Sequence, residues 1–402
     1  MKHLAARITV AACLATVALG ATARGDSIFD AAGAGRDVMP AVGDTRALGG
    51  AVTANLDPFS VSLLNPCAAA RAKQVIITGG FAEMGTKTTN LGQTKTTVTT
   101  VYPSLTLIVP TKHFALLTGL FQEREGRVTL ADTGSVGTSI YDASYSRGSS
   151  VHSIPLMLSA FINRRVALSG GMFFSFSDMR EETAIDFRSS DYKDTDDVMD
   201  TFAAGEGFIG AFVLDLGRLR LGGQFRTGPR LKGKLEKRNA PIGLWSSENI
   251  SISSKNAFGL GLAAEPATWV TIEGDYSKSP WSGLKLDQVT LNARNTERWS
   301  IGIQYHGDHI WQASQYPLTL GYHREPLDRQ AGRLDKIATG RISEEIFSLG
   351  TSIPMGQGRG RLSLAFEFGT RKAAARDDLR EKTYGISLSV SAAEAWHREA
   401  RR

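Results

Sequence analysis

The chain has 402 residues, 42% apolar and 21% charged, with a formal net charge of +6. That balance excludes a disordered chain, and 42 Gly against 13 Pro with no triplet period excludes a collagen. Two Cys are too few for a disulfide framework or a four-ligand zinc site, which leaves a Gly-rich β protein as the leading class.

The start of the chain reads as an export signal. Lys2 and Arg7 precede an apolar run from Ile8 to Leu19, and Ala21-Thr22-Ala23 forms a small-x-small cleavage site. Residues 1–23 are therefore expected to be removed, taking Cys13 with them and leaving Cys67 alone. A lipoprotein reading of Val10-Ala11-Ala12-Cys13 is weaker, because the apolar run continues past the cysteine. No later stretch approaches the ~20 apolar residues of a spanning helix.

Residues 24–72 are small and flexible in composition, with Ala31-Ala32-Gly33-Ala34-Gly35 and Leu48-Gly49-Gly50-Ala51. They end in Asn65-Pro66-Cys67-Ala68. A segment this apolar is not expected to hang free in water, and its simplest placement is inside a barrel as a hatch. Pro66 fixes its own φ and biases Asn65 away from the helical region, which predicts a sharp turn there. Gly49 and Gly50 allow a close backbone approach to a wall.

From residue 73 to 392 one theme repeats: segments of about ten residues alternate apolar and polar. Leu219, Leu221 and Phe225 interleave with Arg220, Gln224 and Arg226; Ile301 and Ile303 interleave with Ser300 and Gln304; Leu364 and Phe366 interleave with Ser363 and Glu367. Such alternation puts one set on each sheet face. The pattern predicts fourteen strands at 73–82, 98–109, 112–122, 150–162, 165–177, 205–215, 218–227, 251–264, 268–277, 296–307, 316–325, 344–353, 360–370 and 381–391. Tight turns are expected on one side, and polar loops of 14 to 28 residues on the other. An even count with that asymmetry indicates an all-β transmembrane antiparallel barrel, whose closure satisfies every backbone group in hydrocarbon. Lumen-facing candidates are Arg220, Gln224, Arg226, Glu273, Asp275, Gln304, His306 and Glu367. The aromatics Trp245, Trp269, Trp281, Trp299, Trp311 and Tyr276 mostly fall near predicted strand ends, where interfacial girdles sit. A soluble β-sandwich is the competing architecture, but its connections are shorter and more even. Residues 393–402 form a short tail.

The run from Arg46 through Gly49, Gly50 and Ala51 to Ala54, then Asp57 and Asn65-Pro66-Cys67-Ala68, resembles the N-terminal signature of FadL-like outer-membrane barrels. That group includes long-chain fatty acid transporters and PorV-type barrels. Cys67 and Ala68 replace the usual Ala and Gly, and Pro58 stands where a second acid is common. The segment Phe258 to Pro266, leading to Asp275-Tyr276 and Trp281, is similar in style to a hairpin of the family. The resemblance implies fourteen strands around an N-terminal hatch marked by Arg46, Gly49, Gly50, Asn65 and Pro66.

Other constellations carry little chemistry. Asp191, Asp194, Asp196, Asp197 and Asp200 read as a solvated acidic loop, lacking calcium-loop spacing. Arg226, Arg230, Lys232, Lys234, Lys237 and Arg238 read as a basic loop, either merely solvated or pairing with lipopolysaccharide phosphates. No G-x-S-x-G is present, and Gly356-Gln357-Gly358-Arg359-Gly360 lacks the Lys-Ser/Thr of a phosphate loop. No enzyme, cofactor, metal or nucleic-acid role is expected. The leading expectation is a passive outer-membrane channel for hydrophobic, fatty-acid-like molecules. The alternatives are a PorV-type partner in a secretion or assembly system and a polar porin.

Overall fold

The computed structural model describes residues 27, 36–41, 43–90, 92–189, 192–239, 243–253, 256–279, 285–286, 289–290, 295–306, 316–326, 342–356, 359–374 and 376–394. The expected signal peptide, Asp191, Trp281, Trp311 and the end of the tail lie outside them.

Fourteen strands make the wall. They are β1 (Val75–Asn90), β2 (Gln93–Val101 with Ser104–Pro110), β3 (Ala115–Val136), β4 (Ser139–Phe161), β5 (Val166–Phe187), β6 (Thr195–Asp215) and β7 (Leu219–Arg226 with Arg230–Asn239). Then follow β8 (Leu244–Ser253 with Ala257–Ala267), β9 (Val270–Ser279), β10 (Thr296–Tyr305), β11 (Leu318–Pro326), β12 (Ile342–Met355), β13 (Gly360–Ala373) and β14 (Arg376–Glu394). Neighbours pair antiparallel, and β14 returns to β1 from Val75↔Glu394 to Thr89↔Arg380, so the sheet closes on itself. Every predicted strand overlaps an observed one.

The two faces follow the alternation. Leu168, Phe174, Phe208, Phe212, Leu260, Ile301, Phe347 and Phe368 are exposed outward, with the expected Leu219, Leu221, Phe225, Ile303 and Phe366 among them. Ser153, Ser159, Ser169, Ser175, Thr271, Ser300, Ser348 and Ser363 are buried on the inner face. Small hydroxylated side chains inside leave room in the lumen and satisfy one another, as in the Ser159–Ser169 contact at 2.8 Å.

The long polar loops expected after β1, β3, β5 and β7 are not loops. Two residues join β1 to β2, and two join β3 to β4. The intervening sequence extends the strands instead, to 22 residues in β3 and 23 in β4. A barrel strand crosses hydrocarbon in about 9–11 residues, so β3 to β8 project as a tall ridge. Above the apolar belt the outward face turns polar, while Val128, Thr201, Ala203, Leu231 and Ile250 stay buried, so the outward apolar pattern ends although backbone pairing continues. Asp196, Asp197 and Asp200 of the expected acidic loop lie on β6. The expected basic loop is the upper part of β7.

One seam is incomplete. β2 and β3 pair only from Ser104↔Phe121 to Pro110↔Ala115. Above it, Gln93–Val101 pairs with β1, and β3 bends away at a register shift between Gln122 and Arg124. The freed edge of β3 is taken by a two-residue strand, with Arg36 opposite Glu125 and Asp37 opposite Arg124. Val38 N donates to Glu123 O at 2.8 Å, and Val38 packs with Ala82 and Val101.

Candidate functional site inside the barrel

The segment from Gly43 to Arg71 contains a helix, α1 (Gly43–Ala47), and two 3-10 turns, Pro58–Ser60 and Pro66–Arg71. Most of it is buried against inward side chains of the wall. Arg46 meets Glu367 of β13 at 2.6 Å, with both side chains almost fully buried. Asp275 Oδ2 of β9 accepts from Val52 N, Thr53 N and Thr53 Oγ1, at 2.8, 2.8 and 2.7 Å. Asn55 Nδ2 donates to Glu273 Oε1 at 2.9 Å. Arg361 bridges Asp44 and Asp57. Ser348 Oγ, Arg298 Nη2 and Ser159 Oγ donate to the carbonyls of Ala47, Gly49 and Pro66. Wall groups thus satisfy backbone groups that the end of α1 and the following loop leave over, at Ala47, Gly49, Val52 and Thr53.

Gly49 and Gly50 take φ of +65° and +81°. A Cβ on Gly49 would lie 2.8 Å from Tyr322 N, and one on Gly321 would lie 2.2 Å from Gly49 N. Two glycines facing each other let the backbones touch, at the left-handed geometry that glycine adopts most readily. Asn65 Oδ1 accepts from Ser62 N and Ser62 Oγ at 2.9 and 3.0 Å, so it closes a local turn before Pro66 starts a 3-10 helix.

Beside this segment lies a cavity of about 300 Å³. Val38, Met39, Leu64, Met84, Val101 and Ile346 supply apolar walls. Arg46, Arg124, Arg226, Arg298, Arg371, Glu344 and Glu367 supply charge. Most of these charges are paired: Arg226 with Glu123 at 2.6 Å, Arg124 with Asp37 at 2.7 Å, and Arg371 with both Glu344 and Glu381. Arg46 Nη1, Arg226 Nε and Arg298 Nε are buried donors with no partner among the described residues. Donors left over around a cavity call for water or a ligand acceptor.

A family model described as BamG matches residues 228–401. No curated protein sequence matches the chain. Among solved structures, the CymD monoaromatic hydrocarbon channel aligns with a TM-score of 0.60 at 13% identity, covering 90% of this chain and 99% of that one. A Pseudomonas aeruginosa FadL homologue aligns with a TM-score of 0.60 at 16% identity, covering 90% and 100%. This is a FadL-like barrel fold. The Pseudomonas putida toluene transporter TodX shares it, with a TM-score of 0.59 at 16% identity over 88% of this chain and 97% of that one.

Within this FadL-like barrel, the residues singled out from sequence fall into two groups. Arg46, Gly49, Gly50, Glu273, Asp275 and Glu367 meet where the N-terminal segment touches β9 to β13. Arg226 is the cavity-lining member of the lumen set that pairs across to β3. Asn65 and Pro66 lie apart, near β4. Arg220 sits at the short-turn end with Glu265 at 2.9 Å, and His306 Nε2 lies 3.3 Å from Thr271 Oγ1. Gln224 borders Gly259, and Gln304 is half-buried. Sequence reasoning missed Arg298, Arg361, Arg371 and Glu344. Each sits at an inward position of a strand, so the alternation itself was the available signal.

Proposed function

We propose that the protein is an outer-membrane barrel that passes hydrophobic small molecules down their gradient, with residues 24–72 acting as its hatch. The observation that carries this reading is the cavity, which abuts both the N-terminal segment and the incomplete β2–β3 seam. Its apolar walls suit a hydrocarbon body, and the spare donors of Arg46 and Arg298 suit one acceptor group such as a carboxylate. Residues Arg36 to Val38 line the cavity and also occupy the seam, so releasing them opens a path from the lumen toward lipid. No step requires an energy source. The neighbours' described ligands, toluene and monoaromatic hydrocarbons, support the substrate class. The apolar belt would face outer-membrane lipid, after export by the signal of residues 1–23.

The test is a reversible lock. Arg36 and Glu125 are directly opposed across two antiparallel strands, a spacing compatible with a disulfide. In proteoliposomes, Arg36→Cys with Glu125→Cys should lose fatty-acid or toluene uptake when oxidised and regain it when reduced. Unchanged uptake in the oxidised form contradicts the seam path.

A second reading is a barrel that serves a secretion or assembly partner. The ion-paired lumen favours it, because a lining so rich in charge penalises an apolar solute. Wild-type protein that binds no hydrophobic solute would support this second reading.

A further inference from the structure

The basic run of the sequence lands on β7, where the strand leaves the apolar belt. Arg230, Lys232, Lys234 and Arg238 alternate on the outward face and are all exposed. Arg226 and Lys237 point to the other face, toward Glu123 and Glu248. The four outward cations have no ion pair among the described residues, unlike Arg46, Arg124, Arg226 and Arg371 of the lumen. Alternate residues on a strand stand about 7 Å apart, so they form a comb. Below the comb lie the exposed Phe208, Phe225, Phe258 and Leu260, which belong to the lipid belt. Across the register, Lys232 faces Ala204 and Ser251, and Lys234 faces Phe202 and Asn249, with no acid opposite either. Asp196, Asp200, Glu206 and Glu236 are the acids of this face on β6 and β7, with Asp200 opposite Glu236 and 3.8 Å from Arg180 of β5. Higher up, Arg238 is opposite Trp245, which is 72% exposed.

Resting on the membrane placement proposed above, we infer that this strip binds a phosphorylated glycolipid of the outer leaflet. The tight-turn side of such barrels faces the periplasm, so the ridge side faces outward. Acyl chains would lie on Phe208, Phe225 and Phe258. Phosphates would meet Arg230, Lys232 and Lys234 through charge-assisted hydrogen bonds. Ser251, Asn249 and Trp245 continue the strip with polar donors and an aromatic face, which suit a sugar more than a bare phosphodiester.

The experiment uses the full chain in detergent micelles and measures binding of bis-phosphorylated lipid A, its dephosphorylated form and phosphatidylglycerol. Arg230→Gln with Lys232→Gln and Lys234→Gln should weaken lipid A binding about tenfold or more, the worth of one charged hydrogen bond. Lys237→Gln, with the same loss of charge per residue, should leave binding unchanged, as should the charge-keeping Lys234→Arg. Heat-modifiable gel mobility and solute uptake should match wild type in all variants, which separates this proposal from the transport reading. Equal lipid A affinity in the triple variant overturns the site. Equal affinity of the wild type for dephosphorylated lipid overturns the phosphate, and equal affinity for phosphatidylglycerol overturns the glycolipid.

Discussion

At the scale of single residues, the interior is organised by charges that lie far apart in the chain. Arg46 and Glu367 are separated by 321 positions yet share an almost fully buried contact. Removing one partner of such a pair strands the other charge, so Arg46→Ala should cost about 3–5 kcal/mol. Adding Glu367→Gln to that variant should recover part of the loss. Denaturant titration of the heat-modifiable band measures both. Cys67 gives an independent probe of the same packing. It is fully buried, its Sγ sits 3.8 Å from Ala167 O, and burial pushes its thiol up to about 12. At pH 8 it should therefore remain a thiol and resist maleimide until the protein is unfolded. Rapid labelling of the folded barrel would show that the end of the N-terminal segment is not packed against β4 and β5. The individual candidates were readable as inward polar positions, but their pairing was not. No local pattern in a sequence links residue 46 to residue 367.

At the scale of elements, the alternation was legible only where a membrane enforces it. In β10, Ile301 is exposed on the outer face and Gln304 turns inward, as period two requires. Arg at Ile301 should cost about 2–4 kcal/mol if that position lies near the midplane, whereas Arg at Gln304 should be tolerated. Equal losses at both positions would mean that the faces are exchanged. Above the membrane the constraint disappears, and β2, β4 and β7 carry Thr, Ser and charged residues on both faces. Those stretches looked like loops because polarity was the only signal, while the backbone pairing that makes them strands leaves no mark in hydrophobicity. The N-terminal segment was recognisable by its glycines, since Gly49 faces Gly321 at a distance no side chain would permit. Deleting residues 26–64 removes α1, the Asp275 clamp and the seam strand together. The barrel should still show heat-modifiable mobility, and its conductance in planar bilayers should rise. A folded deletion barrel with wild-type conductance and uptake would defeat the gating role of the hatch while leaving the fold untouched.

At the scale of the whole molecule, the design combines a closed ring, a lopsided outer ridge and a filled lumen. The ring meets the hydrocarbon's demand for satisfied backbone groups, and the filled lumen distinguishes it from an open polar pore. The wall contacts of residues 43–72 anchor this part on several strands, whereas the proposed path runs past Arg36 to Val38, which pair with β3 at the seam. Selective passage without a standing aqueous pore is therefore expected. Its most direct test is solute flux in proteoliposomes carrying the full mature chain, comparing a long-chain fatty acid and toluene with a sugar of similar size. Saturable entry of the apolar solutes and exclusion of the sugar are the expected result. Sugar entry at a comparable rate, or no entry of either class by a barrel that is demonstrably folded, would contradict it.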